Sequence, residues 1–77
     1  MEITIIAFGQ MAELTGKSNW IMTGITNTDQ LKQAIEISNP TIKSINYLVA
    51  VNKKIVTGNA EIPVNATIAL LPPFSGG

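Results

Sequence analysis

The sequence predicts an α+β domain in which one principal helix packs on a mixed sheet of four to five strands. Three observations carry this. The chain opens on an alternating, β-branched segment. A single stretch has the length and 3.6-residue period of a packed helix. Short apolar runs of strand character follow it, the last one ending just before residues 72–77. With 77 residues there is material for one core. A chain of this size buries only about 60% of the surface its unfolded form exposes, so one helix is the only sizeable cover the sheet can have.

The first strand is Glu2 to Phe8, "EITIIAF". Polar Glu2 and Thr4 fix the outward face, so Ile3, Ile5 and Ala7 point inward. The same parity sends Ile6 and Phe8 outward, an apolar pair on the solvent side. "QMAELTG" follows, with Met11 and Leu14 three apart and Gly16 as stop: a short helix with a glycine C-cap. "SNWIMT" reads as the second strand, Trp20 and Met22 sharing a face.

"NTDQLKQAIEIS" is the principal helix. Asn27 is the N-cap and Gln30 its capping-box partner. Asp29 lies in the first turn, where the helix dipole favours an anion. Leu31, Ala34 and Ile35 form the core-facing stripe, and Asn39-Pro40 ends the helix. "YLVAVN" and "IVT" are two short strands with Lys53-Lys54 near the bend between them. "GNAEIPVNA" is an irregular loop. "ATIALL" is the last strand, with Ile68 and Leu70 on one face and Ala69 and Leu71 on the other. One helix held by a mixed sheet and a buried final strand fit a β-grasp roll. An α+β sandwich of another topology is the alternative.

Composition removes much chemistry. Five cationic and five acidic side chains cancel, and every cation is a lysine. A charge-driven nucleic-acid or membrane-surface role is therefore not expected. Without cysteine or histidine there is no disulfide, no thiolate nucleophile and no Ser-His pair, and a metal site would need carboxylates alone. No signal-peptide pattern and no apolar run of spanning length occurs, so the expected location is cytoplasmic. Glu13, Glu36 and Glu61 fall on separate elements, with nothing to bring two of them to acid–base spacing. Lys53-Lys54 reads as a solvated bend, Trp20 as packing, and Gly16, Gly24 and Gly58 as turn glycines outside any phosphate-binding pattern.

What remains is the ending, "LLPPFSGG". The division expected is a folded domain over 1–71 and an arm over 72–77. Pro72-Pro73 favours a polyproline II segment that cannot rejoin the sheet. Phe74 is a bulky anchor suited to a partner's pocket, and Ser75 links it to Gly76 and Gly77. Those two carry no Cβ and can thread a channel too narrow for other residues. From Leu71 the arm reaches about 20 Å at roughly 3.3 Å per residue. What it delivers is the α-carboxylate of Gly77, ionised at neutral pH. Such a carboxylate can attack the α-phosphate of ATP to give an acyl-adenylate, so the C-terminus itself reads as the functional group, activated by another enzyme.

These features resemble the ubiquitin-like sulfur carriers, and among them most the small subunit of molybdopterin synthase. "FGQMAELTG", "VAVNKKIV" and above all "LLPPFSGG" carry the likeness, which covers nearly the whole chain. The resemblance implies a β-grasp fold and a chain that is not an enzyme on its own. An E1-like adenylating enzyme would use ATP and magnesium on Gly77, and a sulfur-donating sulfurtransferase would supply the sulfur of a thiocarboxylate. The tail would then enter the large subunit of molybdopterin synthase, which holds the active site, and donate sulfur to a pyranopterin precursor of the molybdenum cofactor. The implied assembly is a heterotetramer, with no cofactor or metal bound by the small chain.

The resemblance also gives the outward apolar residues a use: Phe8, Ile55 and Leu71 correspond to a patch that docks both partners. Ala12 stands where the family often has Arg or Lys, which removes a charged contact to one partner. Three other functions share the Gly-Gly ending or the fold. They are a sulfur carrier for thiamin or tRNA thiolation, a ubiquitin-like modifier joined to lysines through Gly77, and a β-grasp interaction module with an inert tail.

Overall fold

The structure, a computed structural model, describes residues 2–73. Five strands form one sheet: β1 (Glu2–Ala7), β2 (Asn19–Thr23), β3 (Leu48–Val51), β4 (Lys54–Val56) and β5 (Thr67–Leu71). Their order across the sheet is β2-β1-β5-β3-β4. β1 and β5, the first and last strands in sequence, are parallel and central, and the other neighbours are antiparallel. Helix α2 (Thr28–Ser38) crosses one face and α1 (Gln10–Thr15) closes the end where β1 finishes. This is the β-grasp arrangement.

β1 is one residue shorter than its sequence pattern, because Gly9 takes φ 51° and ψ −124° and turns the chain at Phe8 into α1. Its parity is as expected. Ile3, Ile5 and Ala7 are buried with Ile68 and Leu70 of β5 and Val49 and Val51 of β3. Gly16 ends α1 in the left-handed region. Asn27 caps α2, its side chain accepting the Gln30 N–H at 2.9 Å. The return half of the capping box differs from expectation. Gln30 Oε1 accepts from the Thr26 N–H and hydroxyl, at 2.8 and 2.9 Å, not from Asn27.

The buried stripe of α2 is Thr28, Leu31 and Ile35, with Ala34 only partly covered. Ala34 therefore lies at the stripe's margin. Beyond Asn39 the chain forms a 3-10 turn (Pro40–Ser44) whose Ile42 is fully buried. Proline at its first position has no N–H to leave unpaired. In the irregular 57–66 segment Ile62 and Ala66 also enter the core. β3 and β4 meet in a two-residue turn, Asn52 and Lys53 both at positive φ (49° and 72°), the geometry whose twist matches the strands it joins.

Candidate docking face and base of the tail

The sheet face opposite α2 is built from outward positions of all five strands, with Asn19 and Ile21 of β2 beside Ile6 and Thr4. Register places Ile6 beside Ala69, Ala69 beside Ala50, and Ala50 beside Ile55. One residue pair further along, Leu71 lies beside Leu48. The β1–β5 ladder continues through the Phe8 N–H to the Leu70 carbonyl (3.1 Å), which brings Phe8 alongside Leu71. The three sequence-predicted patch residues thus share one face. Phe8 is 46% exposed and Ile55 52%, and Leu71 is half-buried. Exposed large apolar side chains grouped on one face characterise a contact surface more than a finished exterior.

The floor of this face was not legible as a site in the sequence. Ala50 is only 4% exposed yet lies outside the core cluster, because it faces away from α2 and is shielded by its cross-strand neighbours. Ala50 and Ala69 make a low strip between Ile6 and Ile55. The signal was present in "LVAV" and "TIAL", where each outward position between larger residues is an alanine. The face is uncharged across this row. Lys53 and Lys54 border it beside Ile55.

β5 ends at Leu71, whose side chain belongs to this face, and Pro72 and Pro73 follow. Pro72 is half-buried and Pro73 exposed. The Pro72 ring packs over Gly9, where a Cβ would meet its Cγ at 3.5 Å. Phe74, Ser75, Gly76 and Gly77, the remaining candidate residues of the tail, lie outside the described residues.

Elsewhere among the described residues no competing chemical centre is found. Among the described residues no group of three His, Cys, Asp or Glu side chains could hold a metal ion. Glu13, Glu36 and Glu61 remain apart; Glu36 accepts a 2.7 Å hydrogen bond from the Tyr47 hydroxyl. Burial, and then that bond and the Glu36 charge, push the Tyr47 pKa well above its ordinary value. Trp20 packs at the sheet edge with the Lys17 ammonium 5.6 Å from its ring centroid. No helix is long and apolar enough to cross a membrane, among the described residues.

A model of the ThiS family matches residues 5–77. No curated protein matches the sequence. Several solved structures are similar. A Pyrococcus furiosus chain provisionally assigned as molybdopterin converting factor subunit 1 superposes with a TM-score of 0.82 at 16% identity, covering 96% of this chain and 99% of that one. Small archaeal modifier protein 1 from Methanosarcina acetivorans gives 0.82 at 16% identity, over 99% and 96%. A chain of the complex of subunits 1 and 2 of the molybdopterin-converting factor from Helicobacter pylori gives 0.71 at 22% identity, over the full length of both. At such identities the likeness establishes the β-grasp fold.

Proposed function

The chain belongs to the ThiS family of ubiquitin-like sulfur carriers, and from that premise we propose that it is the sulfur-carrying small subunit of a molybdopterin synthase. The observation that carries this is the junction at Leu71. The last strand ends inside an exposed apolar face, and two prolines, which cannot donate to a sheet ladder, follow it directly and precede "FSGG" in the sequence. A docked partner would hold the face while the arm enters its active site.

The chemistry follows from the terminal group. A Gly77 carboxylate oxygen attacks the α-phosphate of ATP, and pyrophosphate leaves. Sulfide then attacks the acyl carbon, AMP leaves, and a thiocarboxylate remains. Both steps take place in a partner enzyme that binds ATP and magnesium, and the small chain contributes an unhindered acyl group. In the large subunit the thiocarboxylate sulfur would pass to a pyranopterin precursor, returning the carboxylate after hydrolysis. Phe8, Ile55 and Leu71 serve as the docking patch, and Pro72, Pro73, Phe74, Ser75 and Gly76 as the inserted arm.

A second reading is favoured by the likeness to small archaeal modifier protein 1: the adenylated Gly77 would be captured by a lysine amine in place of sulfide. One experiment separates the two. Intact-mass analysis of the protein isolated from cells should find a free chain heavier by the difference between sulfur and oxygen. Lysine conjugates without such a species would make it a modifier. Incubation with a molybdopterin synthase large subunit and the pyranopterin precursor should then consume the thiocarboxylate. A thiocarboxylate that persists there would place the carrier in another pathway.

A further inference from the structure

The two edges of the sheet are built differently. β4 has three residues, begins with Lys54 and follows Lys53, the short and charged form that discourages a further strand from pairing. β2 has five residues, Asn19–Thr23, with no proline, no charge and no left-handed residue within it. Among the described residues it pairs with β1 alone. The Ala7 N–H bonds the Ser18 carbonyl at 2.9 Å, so positions 18, 20 and 22 turn their backbone groups toward β1. The N–H and C=O groups of Asn19, Ile21 and Thr23 therefore point outward along a free edge.

We propose that this edge pairs with the β2 edge of a second copy of the chain, antiparallel and centred on Ile21, joining two sheets into one. The strand is self-complementary in that register. Asn19 falls opposite Thr23 of the other copy, twice, and Ile21 opposite Ile21. Ile21 is 59% exposed, so this register would take two apolar side chains out of water at its centre. On the α2 side Trp20 falls opposite Met22, twice, a sulfur–aromatic pairing. An open groove of about 240 Å³ lies there, lined in part by Trp20, Met22 and Ile35, with room for the incoming side chain. No like charges meet in the strand, and the chain's formal net charge is zero, so nothing long-range opposes self-association.

A five-residue edge falls below the roughly 1,200 Å² of a standard stable interface, so the dimer is reversible. β2 and β4 lie at opposite edges and β5 is central, so pairing at β2 leaves both β5 ends and both Ile55 margins clear of the new contact. The inference is independent of the sulfur-carrier reading.

The test is sedimentation equilibrium of the full chain from micromolar to millimolar concentration. The mass should rise from 8.2 kDa toward twice that value. Ile21→Lys, at an exposed position that leaves the core untouched, should abolish the rise, and mixing it with Ile21→Glu should restore association. As a second measurement, Ile21→Cys should oxidise to a covalent dimer faster than Ile37→Cys. Residue 37 is 73% exposed but lies on α2, and the natural chain has no cysteine. Antiparallel pairing puts the two substituted positions about 5.5 Å apart, within disulfide reach. A mass that stays monomeric throughout, with equal oxidation of the two cysteine variants, would overturn the proposal. So would loss of binding to a protein partner in Ile21→Lys while the natural chain stays monomeric.

Discussion

The Thr28 hydroxyl accepts the Ala60 N–H at 2.8 Å and donates to the Gly58 carbonyl at 3.2 Å, although Thr28 is the first residue of α2 and the other two belong to the loop before β5. Thr28 is buried. Its own N–H bonds the Ala60 carbonyl, and Asn59 Oδ1 accepts the Asp29 N–H. The N-terminus of α2 is thus clamped to an irregular segment some thirty residues later. This fixes the helix over the sheet and seats Ile62 in the core.

Replacing Thr28 with Val keeps the shape and removes the hydroxyl. The Ala60 N–H is left buried without its acceptor, so the expected cost is about 1–3 kcal/mol. Denaturant unfolding should show a lower midpoint with an unchanged slope. Asn59→Ala should cost less alone and combine non-additively with Thr28→Val, since both act on one junction.

The hairpin between β3 and β4 predicts opposite signs at adjacent residues. Lys53 sits at φ 72° with no side-chain hydrogen bond to compensate, whereas Asn52 at φ 49° accepts the Thr67 N–H through Oδ1 at 2.9 Å. Relieving a left-handed conformation in a residue with a Cβ is worth about 1 kcal/mol, of which glycine's added unfolded-state entropy takes back a part. Lys53→Gly should raise the melting temperature by a few degrees. Asn52→Gly should lower it, because the bond to β5 is lost. Calorimetry of the two variants side by side checks both signs.

Much of this was legible from residue type and spacing. Glu2 and Thr4 alone fix which isoleucines of β1 enter the core. Asn27 with Gln30 fixes where α2 starts, and the alternation in "ATIALL" separates Ile68 and Leu70 from Leu71. What escaped reading depends on long-range packing. "PTIKS" has too few residues for a period, so Ile42 gave no sign that a 3-10 turn buries it under the sheet's cover. Thr28 reads as a helix-start residue, and only the fold supplies Ala60 as its partner. The central pairing of β1 with β5 joins the two ends of the chain, and no local pattern encodes it. The docking face was half legible. Parity exposed Phe8, but that it shares a sheet face with Ile55, across β5 and β3, needs the strand order.

Tyr47 predicts an alkaline effect. Its burial and its bond to Glu36 hold the phenol protonated well above the ordinary tyrosine range. Between pH about 10 and that raised value the unfolded chain has lost the proton and the folded chain has kept it, so stability falls as pH rises. Below pH about 10 both states are protonated and this contribution is complete. Tyr47→Phe should be modestly less stable at neutral pH and should show a shallower loss of stability above pH about 10. Because the chain has a single tyrosine, phenolate absorbance should appear at higher pH in the folded protein than in the unfolded chain. Parallel slopes in the two proteins would show that Tyr47 ionises freely when folded.

The docking face is tested by charge. Phe8→Asp and Ile55→Asp alter exposed side chains, so circular dichroism and melting temperature should change little. Burying the new carboxylate in an interface without a partner should cost several kcal/mol of binding, about a hundredfold or more in affinity. On the proposed function, binding to the adenylating enzyme and to the synthase large subunit should both fall. Gln33→Glu, exposed on α2 and so on the other side of the sheet, is the control and should bind normally.

The terminus is the sharpest prediction of all. Removing Gly77, or adding one residue after it, leaves 2–71 and its core untouched, so the melting temperature should stay within a degree or so of the natural chain. Sulfur transfer should nevertheless be lost. Deletion draws the carboxylate back by about 3.3 Å, and extension moves it outward by as much and off Gly77. The assay is clean because the chain has no cysteine and only three weakly reactive methionine thioethers. After incubation with the adenylating enzyme, ATP and sulfide, a thiol-specific alkylating reagent should label the natural chain once, at its last residue. It should label neither variant. A shortened chain that is still labelled, and still supports the synthase reaction, would mean that the carboxylate of Gly77 is not the sulfur-bearing group.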